Sequence, residues 1–297
     1  MIPQFPEFTL LDITHGELYA ALAHEMELTN ADLSFPEVFS WRETYIPYLS
    51  MIDDALCLKL FFEDRIILFP PIGKISLSRV FDRYAAYLTE KHQGGYIGGL
   101  TKKDAESTGL KFRFDRNNSD YVYALNDLAQ LPGKKYHSKR NLIRQFEKNN
   151  ACAFSPLDCS NIEGCLALSE SWCDLKRCDL NPALHDEERA VKQMLAYCKH
   201  LNLFGGVITV DNKIIAFTVA SKLNNTTVVT HVEKADTSFK GIYQAINYYF
   251  ARSQKDTCIW INRESDVGNE GLRKAKLSYY PAHLNEKYYI KIHPHTK

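Results

Sequence analysis

The stretch Phe204–Ala235, FGGVITVDNKIIAFTVASKLNNTTVVTHVEKA, holds three β-rich runs separated by Asp211-Asn212 and Asn224-Asn225. Asx pairs favour tight turns because their short polar side chains tolerate left-handed backbone and bond the chain locally. The pattern predicts a three-stranded antiparallel meander, with strands near 205–210, 214–222 and 226–234.

Working outward, Lys240–Arg252 places Ile242, Ala245, Ile246 and Phe250 at the spacing of one helical face. A short strand at Cys258–Ile261 and a helix at Asn269–Lys276 follow. In the last strand Tyr288, Ile290 and Ile292 alternate with Lys287, Tyr289 and Lys291. Upstream, Ala151–Pro156 reads as a strand, and Cys159–Asp174 and His185–Asn202 read as helices.

The first half repeats part of this order. Leu56–Phe62 and Ile66–Phe69 form a hairpin around Glu63-Asp64, Leu77–Leu88 is an amphipathic helix and Gly94–Gly98 a strand. Lys102–Ser107 is a brief helix, and Lys111–Tyr123 contains further strand. GGYIGGLTKKDAESTGLKFRFDRNNSDYVY at 94–123 and CIWINRESDVGNEGLRKAKLSYYPAHLNEKYYI at 258–290 each run from an apolar strand through a short helix to a strand with two tyrosines near its end. A structural repeat is therefore expected. Between the halves, Leu131–Asn150 is a strongly basic helix with Leu142, Ile143 and Phe146 as its apolar stripe. The expected organisation is an N-terminal domain at 1–130, a connecting helix at 131–150 and a C-terminal domain at 151–297.

The 36 basic residues balance the 36 acidic ones, so no global field draws the protein to nucleic acid or to an anionic membrane. Any such affinity must be local. No run approaches the roughly 20 apolar residues of a membrane span, and MIPQFPEFTLLDITHGE lacks the basic start and apolar core of a signal peptide. A soluble cytoplasmic protein is expected. None of the eight cysteines forms a CxxC pair, so free thiols are expected rather than a metal site or disulfides.

Three further stretches carry a resemblance: LPGKKYHSKRNLIRQF at 131–146, HVEKADTSFKGIYQAIN at 231–247 and INRESDVGNEGLRKAKLSYYP at 261–281. With the element order, they resemble the tandem-GNAT family DUF2156, whose domain is also the catalytic C-terminal part of phosphatidylglycerol lysyltransferases. The resemblance implies an α+β fold of two tandem GNAT-like (acyl-CoA N-acyltransferase) domains, each a mixed, mostly antiparallel sheet flanked by helices. It also implies an acyltransferase. The donor would be an aminoacyl-tRNA, the acceptor an amine or hydroxyl on a small molecule, peptide or lipid headgroup, and no metal or redox cofactor would be required. Acyl-coenzyme A is the alternative donor, and a non-catalytic binding module on a degenerate GNAT pair the alternative class.

The candidate site residues lie in the same stretches. His231 and Glu233 share one face of their strand, so they are candidate bases; the alternative is a strand histidine bonded to a neighbour and a solvated glutamate. The turn before the next helix offers Ser238, Lys240, Gly241 and Tyr243 as an anion or donor site, because helix N-termini attract phosphates. In coenzyme A users of this fold the turn reads Gln or Arg, two residues, Gly, one residue, then Gly or Ala. Here Ser238 and Tyr243 depart from that pattern, and Gly241 also reads as a simple helix start.

At the exit of the 258–261 strand, Asn262, Arg263, Glu264, Asp266 and Lys276 are candidates for substrate binding. Arg263 suits a forked bond to an anion, and Glu264 or Asp266 suits an ammonium. A network that only pins the loop is the alternative, favoured for Lys276. The first half has Gly98, Gly99, Leu100 and Thr101 at this station, which places the chemistry in the second copy or in the groove between copies. Lys134, Lys135, Lys139, Arg140 and Arg144 are candidate RNA contacts, against a solvated helix face.

Overall fold

A computed structural model of the chain describes residues 1–293 apart from 63, 93 and 159. The turn position Glu63 and the helix start Cys159 therefore lie outside the described residues. The first half runs through β1 (Thr9–Leu10), α1 (Gly16–Glu25), α2 (Phe35–Ser40), α3 (Arg42–Tyr45), β2 (Pro47–Ile52), β3 (Ala55–Phe62) and β4 (Arg65–Leu68). It continues with α4 (Leu77–His92), β5 (Gly95–Leu100), α5 (Lys102–Ser107), β6 (Phe112–Phe114), β7 (Asp120–Ala124) and α6 (Leu125–Gln130). The basic helix is α7 (His137–Asn149). After it come β8 (Cys152–Pro156), α8 (Ile162–Lys176), α9 (Pro182–Ala196), β9 (Phe204–Val210), β10 (Lys213–Lys222) and β11 (Thr227–Ala235). The second half ends with α10 (Ile242–Ser253), β12 (Trp260–Asn262), α11 (Glu270–Leu277), β13 (His283–Asn285) and β14 (Tyr288–Ile292).

Two sheets result, in the orders β1-β2-β3-β4-β5-β14-β6 and β8-β9-β10-β11-β12-β7-β13. Each has an antiparallel meander, β2-β3-β4 or β9-β10-β11, whose last strand pairs in parallel with β5 or β12. The expected repeat is thus present station by station, as two tandem GNAT-like copies. One station is exchanged. β14 enters the first sheet beside β5, with Ile290 opposite Ile97, and β7 enters the second beside β12, with Tyr123 opposite Ile261.

The exchange redraws the domain boundaries. One compact unit is Met1–Asp120, Ser265–Glu270 and the segment from Leu284; the other is Tyr121–Glu264 and Gly271–His283. The contiguous division at 130 and 151 does not describe them. The basic helix α7, expected as a connector, lies wholly within the second unit.

In the first unit, alternate residues Tyr288, Ile290 and Ile292 of β14 join a core with Tyr84, Leu88, Ile97 and Leu100. Lys287 fixes the entry of that strand: its buried ammonium lies 2.7 Å from both Asp120 and Asp32. Burial opposes its charge, but the two aspartates outweigh that effect and hold its pKa above the ordinary lysine value.

In the second unit, Ile208, Val210, Ile215, Ala216 and Ala235 of the sheet pack against Phe146 of α7 and Ile242, Ala245 and Ile246 of α10. This packing decides Gly241, which starts α10 at φ +91°. A Cβ there would stand 2.5 Å from the Leu142 carbonyl oxygen of α7. Among the described residues, no helix is long and apolar enough to cross a membrane.

One cysteine expectation is corrected. Cys173 and Cys178 form a disulfide, because Arg177 turns left-handed (φ +56°) after α8 and brings their Cα atoms to 5.2 Å. Cys57, Cys152, Cys165, Cys198 and Cys258 are free thiols.

Candidate functional site

β11 and β12 run in parallel with Val229 opposite Asn262, so their C-terminal ends carry His231, Glu233 and the Asn262-Arg263-Glu264 exit side by side. Loops at the carboxyl ends of parallel strands are where sheet folds most readily hold ligands.

The exit has an uncommon backbone. Glu264 sits at φ +55°, a left-handed conformation that costs a non-glycine residue on the order of 1 kcal/mol. Its surroundings over-determine it. Its N–H donates to Asn262 Oδ1 at 2.7 Å, and its carbonyl accepts from the Tyr121 N–H at 3.1 Å and from Lys276 Nζ at 3.3 Å. Lys276 also donates to the Arg263 carbonyl. Lys276, a candidate substrate ligand, is thus spent on the loop backbone.

The held carboxylate meets His231. Glu264 Oε1 is 2.8 Å from His231 Nδ1, and His231 Nε2 is 2.8 Å from Ser221 Oγ on β10. With Nδ1–H donating to the carboxylate, Nε2 is the acceptor for the serine hydroxyl. The His231 side chain is fully buried, whereas Glu264 keeps 22% of its side chain exposed.

Glu233 belongs to a second network. It pairs with Arg263 Nη2, and its other oxygen accepts from Asn247 Nδ2 of α10 at 3.2 Å. The guanidinium carbon of Arg263 stands 5.0 Å from the Tyr279 ring centre and 5.7 Å from that of Tyr123. Burial works against the Arg263 charge, yet Glu233, Tyr123 and Tyr279 together raise its pKa. Burial likewise pushes the Tyr279 phenol up to about 12. Lys139 lies 4.2 Å from the centre of the same ring and donates to Ser278 Oγ at 2.6 Å; burial and the Arg263 charge lower its pKa.

Two polar atoms in this second network have no protein partner among the described residues: Arg263 Nη1, a donor, and Asn247 Oδ1, an acceptor. Buried groups of this kind cost about 1–3 kcal/mol each unless something satisfies them. They flank the same Glu233 carboxylate.

The expected pair of bases is therefore divided. His231 and Glu233 project from one strand, but each is claimed by a different residue of the β12 exit. Asp266 is separate again. It belongs to the first unit, is fully buried, pairs with Arg116 at 3.2 Å and accepts from the Gly268 N–H at 2.9 Å, so it is a loop anchor.

The turn before α10 is also occupied by its own residues. Ser238 bonds Asp236 through both its N–H (3.0 Å) and its hydroxyl (2.6 Å), Tyr243 accepts from Trp172 Nε1 at 3.1 Å, and Lys240 is exposed. On the basic segment, Lys135 pairs with Asp127 at 3.3 Å, and Arg140 donates to the carbonyls of Leu131 and Gly133. Lys134 and Arg144 are exposed.

Sequence reasoning missed Ser221, Asn247, Tyr123 and Tyr279 as members of the site. The signal was present for two of them. Ser221 and Asn247 are polar residues within otherwise apolar faces of β10 and α10, where a buried polar group requires a partner.

The family described as "Phosphatidylglycerol lysyltransferase, C-terminal" matches residues 24–291. A conserved protein of unknown function from Bacteroides thetaiotaomicron is 35% identical, with a TM-score of 0.90 over 98% of this chain and 100% of that one. The L-PGS structure from Bacillus licheniformis shares the fold at 14% identity, with a TM-score of 0.68 over 100% of this chain and 95% of that one. An uncharacterized protein of Mycoplasmoides gallisepticum is 24% identical in an alignment that covers 67% of this chain and just under two thirds, 66%, of that protein. The chain belongs to the phosphatidylglycerol lysyltransferase C-terminal family.

Proposed function

We propose that the protein transfers an aminoacyl group from an aminoacyl-tRNA to an amine or hydroxyl acceptor. The observation that carries this reading is the unpartnered donor and acceptor on either side of Glu233. An α-aminoacyl ester offers the complementary pair, a carbonyl oxygen for Arg263 Nη1 and an α-ammonium for Asn247 Oδ1 and Glu233. The family adds that its namesake transfers a lysyl group.

In the proposed step the acceptor nucleophile attacks the ester carbonyl carbon and the bond to the ribose oxygen breaks. The nucleophile's proton passes to Glu264, and the departing oxygen takes up a proton to leave as a ribose hydroxyl. Arg263 stabilises the charge on the carbonyl oxygen. Both ring nitrogens of His231 are engaged, by Glu264 and by Ser221, so it positions Glu264. Transfer from an ester to an amine or hydroxyl requires no redox cofactor. Lys134 and Arg144 supply phosphate contacts for the RNA.

The coenzyme A alternative has less support. Ser238 is bonded to Asp236, and Gly241 is pressed against α7, so the turn that would cradle a pyrophosphate is tied to its own fold.

Loss of the aminoacyl ester from a panel of charged tRNAs, with phosphatidylglycerol vesicles or small amines as acceptors, tests the reading. Acceleration that depends on Arg263 and Glu264 is expected. Turnover of an acyl-coenzyme A with no effect on any charged tRNA would overturn it.

A further inference from the structure

The corner between α8 and α9 holds a second cluster of reactive groups. After Arg177 a single 3-10 turn, Cys178–Leu180, returns the chain to α9, and the disulfide spans the corner. Glu188 of α9 faces the same point. One carboxylate oxygen and the two sulfurs lie within 4.8 Å of one another. The cysteines are 5% and 3% exposed, and the Glu188 side chain is 17% exposed. Lys192 reaches Glu188 at 3.0 Å, which leaves carboxylate lone pairs for another ligand.

We propose that, when the disulfide is reduced, Cys173, Cys178 and Glu188 bind a divalent cation of the zinc class. Two thiolates and a carboxylate suit zinc, whose bonds of about 2.3 Å to sulfur and 2.0–2.2 Å to oxygen place tetrahedral ligands about 3–4 Å apart. With the two Cα atoms 5.2 Å apart, side-chain rotation after reduction parts the sulfurs to that spacing, and solvent supplies the fourth ligand. Two molecules of a small thiol supply the two electrons and two protons that convert the disulfide to two thiols, and leave joined as their own disulfide. The cation then displaces the two thiol protons.

Disulfide and metal are alternative clasps for one corner. The corner matters to the site because Glu187, beside Glu188, pairs at 2.5 Å with the buried Lys234, next to Glu233 on β11. Lys234 in turn lies 3.4 Å from the centre of the Trp172 ring, beside Cys173.

Cobalt(II) titration of the full chain, reduced with a phosphine and kept anaerobic, tests the proposal. One equivalent with tetrahedral d–d bands and a thiolate-to-cobalt charge-transfer band, displaced by zinc, is expected. The oxidised protein and Cys178→Ser should give neither band, and Glu188→Gln should weaken binding about tenfold or more. No thiolate band in the reduced protein, or equal affinity in Cys178→Ser, would overturn it. Circular dichroism of the reduced protein without metal separates loss of the site from loss of the fold.

Discussion

β5 and β12 occupy the same station in their sheets, yet their exits are built for different ends. β12 leaves through Asn262, Arg263 and Glu264: the last two are tied by side chain to β11, and Asn262 Oδ1 accepts from the Glu264 N–H. β5 leaves through Gly98, Gly99 and Leu100. Gly99 is left-handed (φ +64°), with Phe69 and Asn30 so close that a Cβ would stand 2.8 Å from each, and Asn30 donates to its carbonyl at 3.1 Å. Thr101 then caps α5 by accepting from the Asp104 N–H at 3.1 Å. One topology thus supports either a polar site or a tight joint. What decides is whether the exit carries side chains that need partners.

The strongest way to break this contrast is at Arg263. Arg263→Ala should abolish transfer, by about a hundredfold or more, and should also cost about 3–5 kcal/mol, because Glu233 is left charged in a site where it is only 12% exposed. Transfer rates and urea unfolding measure the two effects; full activity would remove Arg263 from the mechanism.

His231→Gln comes next. It keeps the volume but loses the relay between Ser221 and Glu264, so kcat should fall about tenfold to a hundredfold while KM and stability change little. A rise in KM alone would place Glu264 in binding instead.

Gly99→Ala sharpens the comparison from the other side. The strained φ and the contacts with Phe69 and Asn30 predict a loss of about 1–3 kcal/mol in thermal or urea unfolding, with kcat of the folded protein unchanged. A fall in kcat would give the first exit a part in the chemistry.

The smallest effect concerns Lys59 in the first unit. It is buried among Phe8, Tyr48, Phe61 and Tyr87, and burial lowers its pKa from 10.5 to about 8, with Glu7 opposing. The unfolded chain holds this proton more tightly, so unfolding takes up a proton between about pH 8 and 10.5 and stability rises with pH across that window. Lys59→Met should flatten the rise in urea midpoints; an unchanged slope would assign it to other groups.

Local elements were legible because their patterns are local. The meander, α10 and the short helix α5 follow from turn residues and apolar periodicity, and the strand-exit residues were found from their charge. Partners were not legible. Nothing near Glu233 in sequence says that it will meet Arg263 rather than act beside His231, and nothing near Asp266 says that Arg116 will claim it. The alternation of Tyr288, Ile290 and Ile292 identifies a strand but not its sheet, since either sheet offers an apolar face.

The place of β14 sets an order of assembly. The second sheet has all of its strands once residue 285 has left the ribosome, β7 having been made long before it is needed. The first sheet keeps an open slot between β5 and β6 until residues 288–292 emerge, with two unpaired backbone edges exposed throughout synthesis of the second unit. The half that is made first is therefore the half that is finished last.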